Sequence, residues 1–116
     1  MLNQTTISNL IEIDKDSGGG FLEEMVGLFL NQTDLLLTSL RTHITQWEPT
    51  QVEASAHKLK GSSLNLGADH LAGLSNQLEN YGRDNTPSDS TEILNQLEAE
   101  VRQVREELQA ILVKLA

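Results

Sequence analysis

VEASAHKLKGSSLNLGA, residues 52–68, places Val52, Ala56, Leu59, Ser63 and Leu66 at spacings of four, three, four and three. That is one face of an α-helix, and no strand period fits it. At about 100° per residue the five fall within about 40° of one direction, the core side. On the same wheel His57 lies near 140°, Lys60 near 80°, Leu64 near 120° and Gly61 near 180°. The histidine therefore stands off the core stripe and is expected to be at least partly exposed. A glycine inside a helix costs roughly 1 kcal/mol against alanine, so Gly61 marks a place where space is needed. Pro49 suits the first turn of this helix, and Gly67 is suited to its end.

Working outward, the same period recurs. Thr5 or Thr6 can cap a short first helix carrying Ile7, Leu10 and Ile11, which breaks at Gly18-Gly19-Gly20. A long helix over about 20–46 follows, with Leu22, Met25, Phe29, Leu36, Leu40, Ile44 and Trp47 along one side. Asp69 begins the next, striped with Leu71, Leu74, Leu78 and Tyr81 and ending at Gly82. Residues 83–90, RDNTPSDS, read as a loop, with Ser88 or Ser90 capping a last helix to about 115. Its stripe is Ile93, Leu97, Val101, Val104, Leu108, Ile111, Leu112 and Leu115. Four amphipathic helices with short connections predict an all-α fold, an up-down-up-down antiparallel four-helix bundle with a short N-terminal helix. The length of 116 residues suits one domain over residues 1–116.

Composition narrows the function. The net charge is −9 with only eight Lys and Arg, which argues against a nucleic-acid partner. No cysteine is present, so no thiolate metal site is available. His43, His57 and His70 lack metal-ligand spacing, and no HExxH occurs. Gly18-Gly19-Gly20 has neither GxGxxG spacing nor a P-loop lysine, so no nucleotide loop is expected. Adjacent carboxylates such as Glu23-Glu24 and Glu106-Glu107 point to different sides of a helix and read as solvated surface. The start MLNQTTISNLIEID lacks the basic and apolar regions of a signal peptide, and no apolar run spans a membrane. A cytoplasmic protein without membrane contact is the expectation.

An off-core histidine with an open approach and Lys60 one turn away suits phosphoryl transfer. Neutral imidazole offers a lone pair for attack, while a donor supplies Mg²⁺ and the remaining stabilisation. Lys60 would neutralise charge arriving on His57.

His57, Leu59, Lys60, Gly61, Ser62, Ser63, Leu66, Gly67 and Ala68 together resemble the HxLKGSSxxLGA signature of histidine-containing phosphotransfer (HPt) domains. Phe21-Leu22-Glu23-Glu24-Met25 and Leu28-Phe29-Leu30 resemble the family's second helix, and Leu78-Glu79 with Gly82-Arg83 its fourth. The resemblance covers about residues 8–112. It implies a phosphorelay intermediate that accepts a phosphoryl group on His57 from a receiver-domain aspartate and passes it to a response regulator. Lys60 would assist, Gly61 would keep the approach open, and Glu79 would orient the imidazole. Implied partners are receiver domains of response regulators and a hybrid histidine kinase. No cofactor is implied for the chain itself, with Mg²⁺ expected on the partner receiver domain. A phosphotransfer domain excised from a hybrid or chemotaxis-type sensor kinase is the alternative.

A kinase dimerisation domain fits less well. Its histidine precedes an acidic residue, whereas Lys58 follows His57, and four helices in one chain need no dimer, so a monomer is expected. A purely structural interaction module would use the last helix as a coiled-coil seam, but the other helices need that stripe to bury theirs. Leu64 with Ile7, Leu10 and Ile11 is expected to form an exposed apolar patch beside His57 where the receiver domain docks.

Overall fold

The computed structural model describes residues 1–116 and contains five α-helices and no strand. They are α1 (Gln4–Asp16), α2 (Phe21–Thr45), α3 (Pro49–Asn65), α4 (Asp69–Asp84) and α5 (Ser90–Leu115). The long helices bury most of the stripe their spacing foretold, while Met25, Leu36, Trp47, Tyr81, Ile111, Leu112 and Leu115 are half-buried against the core. Val52, Ala56, Leu59, Ser63 and Leu66 are all buried, as are Leu71, Leu74 and Leu78 on α4. On α5 the buried set runs from Ile93 and Leu94 through Leu97, Val101 and Val104 to Leu108. Each fully buried leucine contributes about 1.5–3 kcal/mol over an exposed one. With few aromatic residues, aliphatic side chains supply nearly all of this core.

Helix α3 packs most extensively on α4, and α2 and α5 close the ring. The pairs between α3 and α4 climb one helix as they descend the other: Glu53 with Arg83, His57 with Glu79, Lys60 with Asn76. The two helices therefore run antiparallel. So do α2 and α5, where Arg41 meets Glu98 and Asp34 meets Arg105.

Gly82 lets α3 and α4 come together. A Cβ there would lie 2.6 Å from the Pro49 carbonyl oxygen and 2.7 Å from the Glu53 nitrogen. The sequence places the helix end at Gly82, but the helix continues to Asp84 and the glycine serves close packing instead.

The ends show how the chain turns. Asn3, rather than Thr5 or Thr6, caps α1, its side chain accepting from the Thr6 amide. Gly18, Gly19 and Gly20 all take left-handed φ of 86° to 93°, a path glycine follows without Cβ strain. This turn brings α2 onto the buried Asp14, whose carboxylate accepts the Leu22 N–H at 2.8 Å. Gly20 has no side chain to cap α2, so Asp14 caps it from the preceding helix. At the other end of α3, Ala68 N–H bonds Ser63 O and Gly67 N–H bonds Leu64 O, the Schellman arrangement. Asp89, with φ 69°, precedes α5 in place of a serine cap, and the Ser90 hydroxyl donates to Pro87 O. No helix is long and apolar enough to cross a membrane.

Candidate functional site

His57 sits midway along α3 with its side chain 67% exposed, as its place off the core stripe requires. Its Nδ1 lies 2.9 Å from Glu79 Oε2 on α4. Glu79 is nearly buried, at 7% exposure, and is met from three sides. Besides His57, Lys60 Nζ lies 2.6 Å from Oε1, and Arg83 NH2 lies 3.4 Å from Oε2. Oε1 has no aligned hydrogen bond and is served by the Lys60 ammonium alone.

Burial works to raise the Glu79 carboxyl, but contacts with Lys60 and His57 outweigh it and hold the group below the ordinary carboxylate range. Glu79 is thus ionised at neutral pH and has only acceptors to offer. The shared hydrogen must then belong to Nδ1 of His57. In the neutral ring this leaves the lone pair on Nε2, the nitrogen not engaged by Glu79. Cation, carboxylate and imidazole form one chain of contacts that ends at the exposed ring.

The rest of the site keeps this geometry. Arg83 also holds Glu53 Oε2 at 3.3 Å and Asn80 Oδ1 at 2.9 Å, so its fork bridges α3 and α4. Lys60 additionally reaches Asn76 Oδ1 at 3.4 Å. Thr50, Glu53, Ala54, His57, Lys58 and Glu79 line a shallow open depression around the imidazole. At Gly61, one turn from His57, a Cβ would meet nothing within 4 Å. Packing within the fold therefore does not require a glycine at this position.

The structure thus brings His57, Lys60 and Glu79 into contact and sets Gly61 beside them. Sequence reasoning aims Lys60 directly at His57, whereas its ammonium rests on Glu79. Periodicity does not single out Arg83 for this cluster, although its position four residues after Glu79 puts it one helical turn away.

The apolar patch needs correction. Leu64 is exposed, but Ile7 and Leu10 are buried in the core and Ile11 is half-buried against it. The first helix is not a loose flap. Asn3 N–H bonds Gly67 O at 2.7 Å, its side chain bonds Asp69, and Leu2 is buried, so α1 lays its apolar edge on the bundle end. Besides Leu64, the exposed apolar residues include Ile13 on α1, Val113 on α5 and, on α2, Phe21, Leu28 and Leu35, which are seven apart on one side. Leu28 lines a groove with Met25, Gln32, Ser62 and Asn65, where α2 meets α3.

Residues 24–107 match the family model for the Hpt domain. No curated protein sequence matches the chain. Among solved structures, it resembles histidine-containing phosphotransfer protein B (HptB) from Pseudomonas aeruginosa, at 25% identity and a TM-score of 0.85, covering 94% of this chain and 91% of that one. It is similar also to the maize histidine-containing phosphotransfer protein ZmHP2, at 25% identity and a TM-score of 0.87 over 96% and 82% of the two chains. A rice protein described as a histidine-containing phosphotransfer protein shares the fold, with 23% identity, a TM-score of 0.83 and 96% and 80% coverage. With its site residues in this arrangement, the chain belongs to the Hpt domain family, the histidine phosphotransfer domains of two-component signalling.

Proposed function

We propose that this chain is a phosphorelay intermediate, with His57 as the phosphoacceptor. In this reading residues 1–116 form one domain, an up-down-up-down antiparallel four-helix bundle with α1 laid over its end. His57 Nε2 takes the phosphoryl group from a receiver-domain aspartate of a hybrid histidine kinase and gives it to the aspartate of a response regulator. The chain works as a monomeric cytoplasmic carrier and has no ATP site of its own.

One observation carries the proposal: the carboxylate of buried Glu79 lies 2.9 Å from Nδ1 of an exposed ring, so that Nε2 is the nitrogen left free for attack. Transfer needs that lone pair and an unobstructed line to phosphorus. Gly61 supplies the openness. Lys60 stands near enough to shift toward an incoming phosphoryl group, while Arg83 stays on Glu79. The receiver domain docks on the outer side of α3 that carries His57, where Leu64 offers the kind of exposed apolar surface that marks partner sites. Lys58, exposed beside His57 and outside the ion pairs of Glu79 and Glu53, offers a positive charge to an acidic phosphoacceptor pocket.

The test is incubation with a receiver domain carrying a labelled aspartyl phosphate. Wild-type protein is expected to take up label as acid-labile phosphohistidine. His57→Gln should keep the helical circular dichroism spectrum yet take up none. Label persisting in that variant would overturn the assignment.

A further inference from the structure

Phe21, Leu28 and Leu35 form an apolar line on the outward side of α2, with 39%, 66% and 72% exposure. A single exposed leucine needs no explanation, but three large apolar residues aligned on one helix do. A repeat of seven is also the period that a second helix follows when it packs alongside. From Phe21 to Thr42, the residues within about 60° of this line include one charge, Glu24. Asp34 and Arg41 lie on the other flank, where they pair with Arg105 and Glu98 of α5.

Charge decides what can lie there. A net charge of −9 makes two copies of the chain repel, and this nearly uncharged side is where they can approach. It offers no Lys or Arg to an anionic lipid surface. The spacing is also symmetric about Leu28. In an antiparallel pair of α2 helices, residues equally far before and after Leu28 meet across the two-fold axis. Phe21 then meets Leu35 of the second copy, and Leu28 meets Leu28. Glu24 meets Gln32, whose amide can donate to the carboxylate. A parallel pair would instead set Glu24 against Glu24 and align the two helix dipoles.

We infer that the outward side of α2 is a self-association face, on which two copies pair through antiparallel α2 helices with the two-fold axis at Leu28. The line from Phe21 to Leu35 is about 21 Å long. One helix pair of that length falls short of the roughly 800 Å² per partner of a standard interface, so the pairing is weak and reversible. The groove beside Leu28 reaches Ser62 and Asn65 on α3, whereas the depression around His57 opens toward Glu79 on α4. Pairing therefore leaves the imidazole uncovered. His57, Lys60 and Glu79 all come from one copy, so the transfer proposed above is complete in the monomer. Self-association is a separate, concentration-dependent property and does not rest on that reading.

Sedimentation equilibrium of the full chain up to about 1 mM should show an average mass that rises above 12.8 kDa with concentration. Leu28 is exposed, so Leu28→Asp should keep the helical circular dichroism spectrum. It sets two carboxylates face to face at the axis, and the dissociation constant should rise at least about tenfold. The chain has no cysteine, so single substitutions report the geometry. Under mild oxidation Leu28→Cys should give a disulfide-linked dimer. Leu35→Cys should not, because its two copies lie roughly 21 Å apart across the axis. A mass of 12.8 kDa at every concentration overturns the inference, as does cross-linking of Leu35→Cys as fast as Leu28→Cys. It is also overturned if Leu28→Asp leaves self-association unchanged but slows phosphoryl uptake from a receiver domain, which would assign the stripe to that partner. Labelling of His57→Gln bears on the phosphoacceptor reading alone.

Discussion

Gly61 and Glu79 show opposite ways in which one residue serves the site. Gly61 contributes nothing to packing, since an added Cβ meets only open space. Gly61→Ala should therefore stabilise the protein by about 1 kcal/mol in urea denaturation, through helix propensity alone. Gly61→Gln puts a long side chain one turn from the imidazole, and phosphotransfer from a receiver domain should slow on the order of tenfold or more. A transfer rate unchanged in Gly61→Gln would mean the space has no use. Glu79 instead ties stability to pH. Despite burial, its contacts with Lys60 and His57 place its native pKa below the unfolded value. Its contribution is therefore fully present above the ordinary carboxylate range and is lost as pH falls through the lower native value. Urea midpoints measured from about pH 6 to about pH 3 should fall less steeply for Glu79→Gln than for the wild type. Parallel curves would show that the carboxylate adds no acid sensitivity.

At the scale of elements, the α3–α4 pair is the unit that makes the site. His57 and Glu79 are 22 residues apart in sequence and meet because the two helices approach at Gly82. Gly82→Ala drives a methyl group into the Pro49 carbonyl and the Glu53 backbone, neither of which can rotate away. This overpacking should cost about 1–3 kcal/mol. The same change moves α4 away from α3 and lengthens the His57–Glu79 contact, so phosphotransfer should slow as well. Thermal denaturation and transfer assays on one preparation would check both effects. The two interior glycines would thus respond oppositely to alanine, Gly61 gaining stability and Gly82 losing it. Periodicity finds both helices but does not separate the two roles, because a missing side chain looks alike beside solvent and beside a backbone. At the start of α2, likewise, sequence shows a glycine break, while the Asp14 carboxylate that caps the helix emerges only when the turn folds back.

The whole molecule is 46 Å long and about 20 Å thick, as four packed helices require when the longest, α5, runs for 26 residues. Exposed pairs such as Arg105 with Asp34 join α2 to α5 but contribute little by themselves; closure of the ring is owed to the apolar core. That core holds one defect, the Thr33 hydroxyl, fully buried without a partner. Thr33→Val keeps the shape and removes the unsatisfied group, so the urea midpoint should rise, by about 1 kcal/mol in stability, with phosphotransfer unchanged. A loss of stability would show that the hydroxyl is satisfied in solution. By itself the sequence determined the helices, their buried stripes, the exposure of His57 and, through the signature from His57 to Ala68, the family. Each is a local property: a period of 3.6 residues repeats within one segment, and a motif lies within a few turns. Only the tertiary structure decided that Lys60 and Arg83 converge on Glu79, that Gly82 is a contact point, and that Ile7 and Leu10 belong to the core. Those facts depend on which helix faces which and at what distance. Each helix's own period leaves that choice open, and packing all five together makes it.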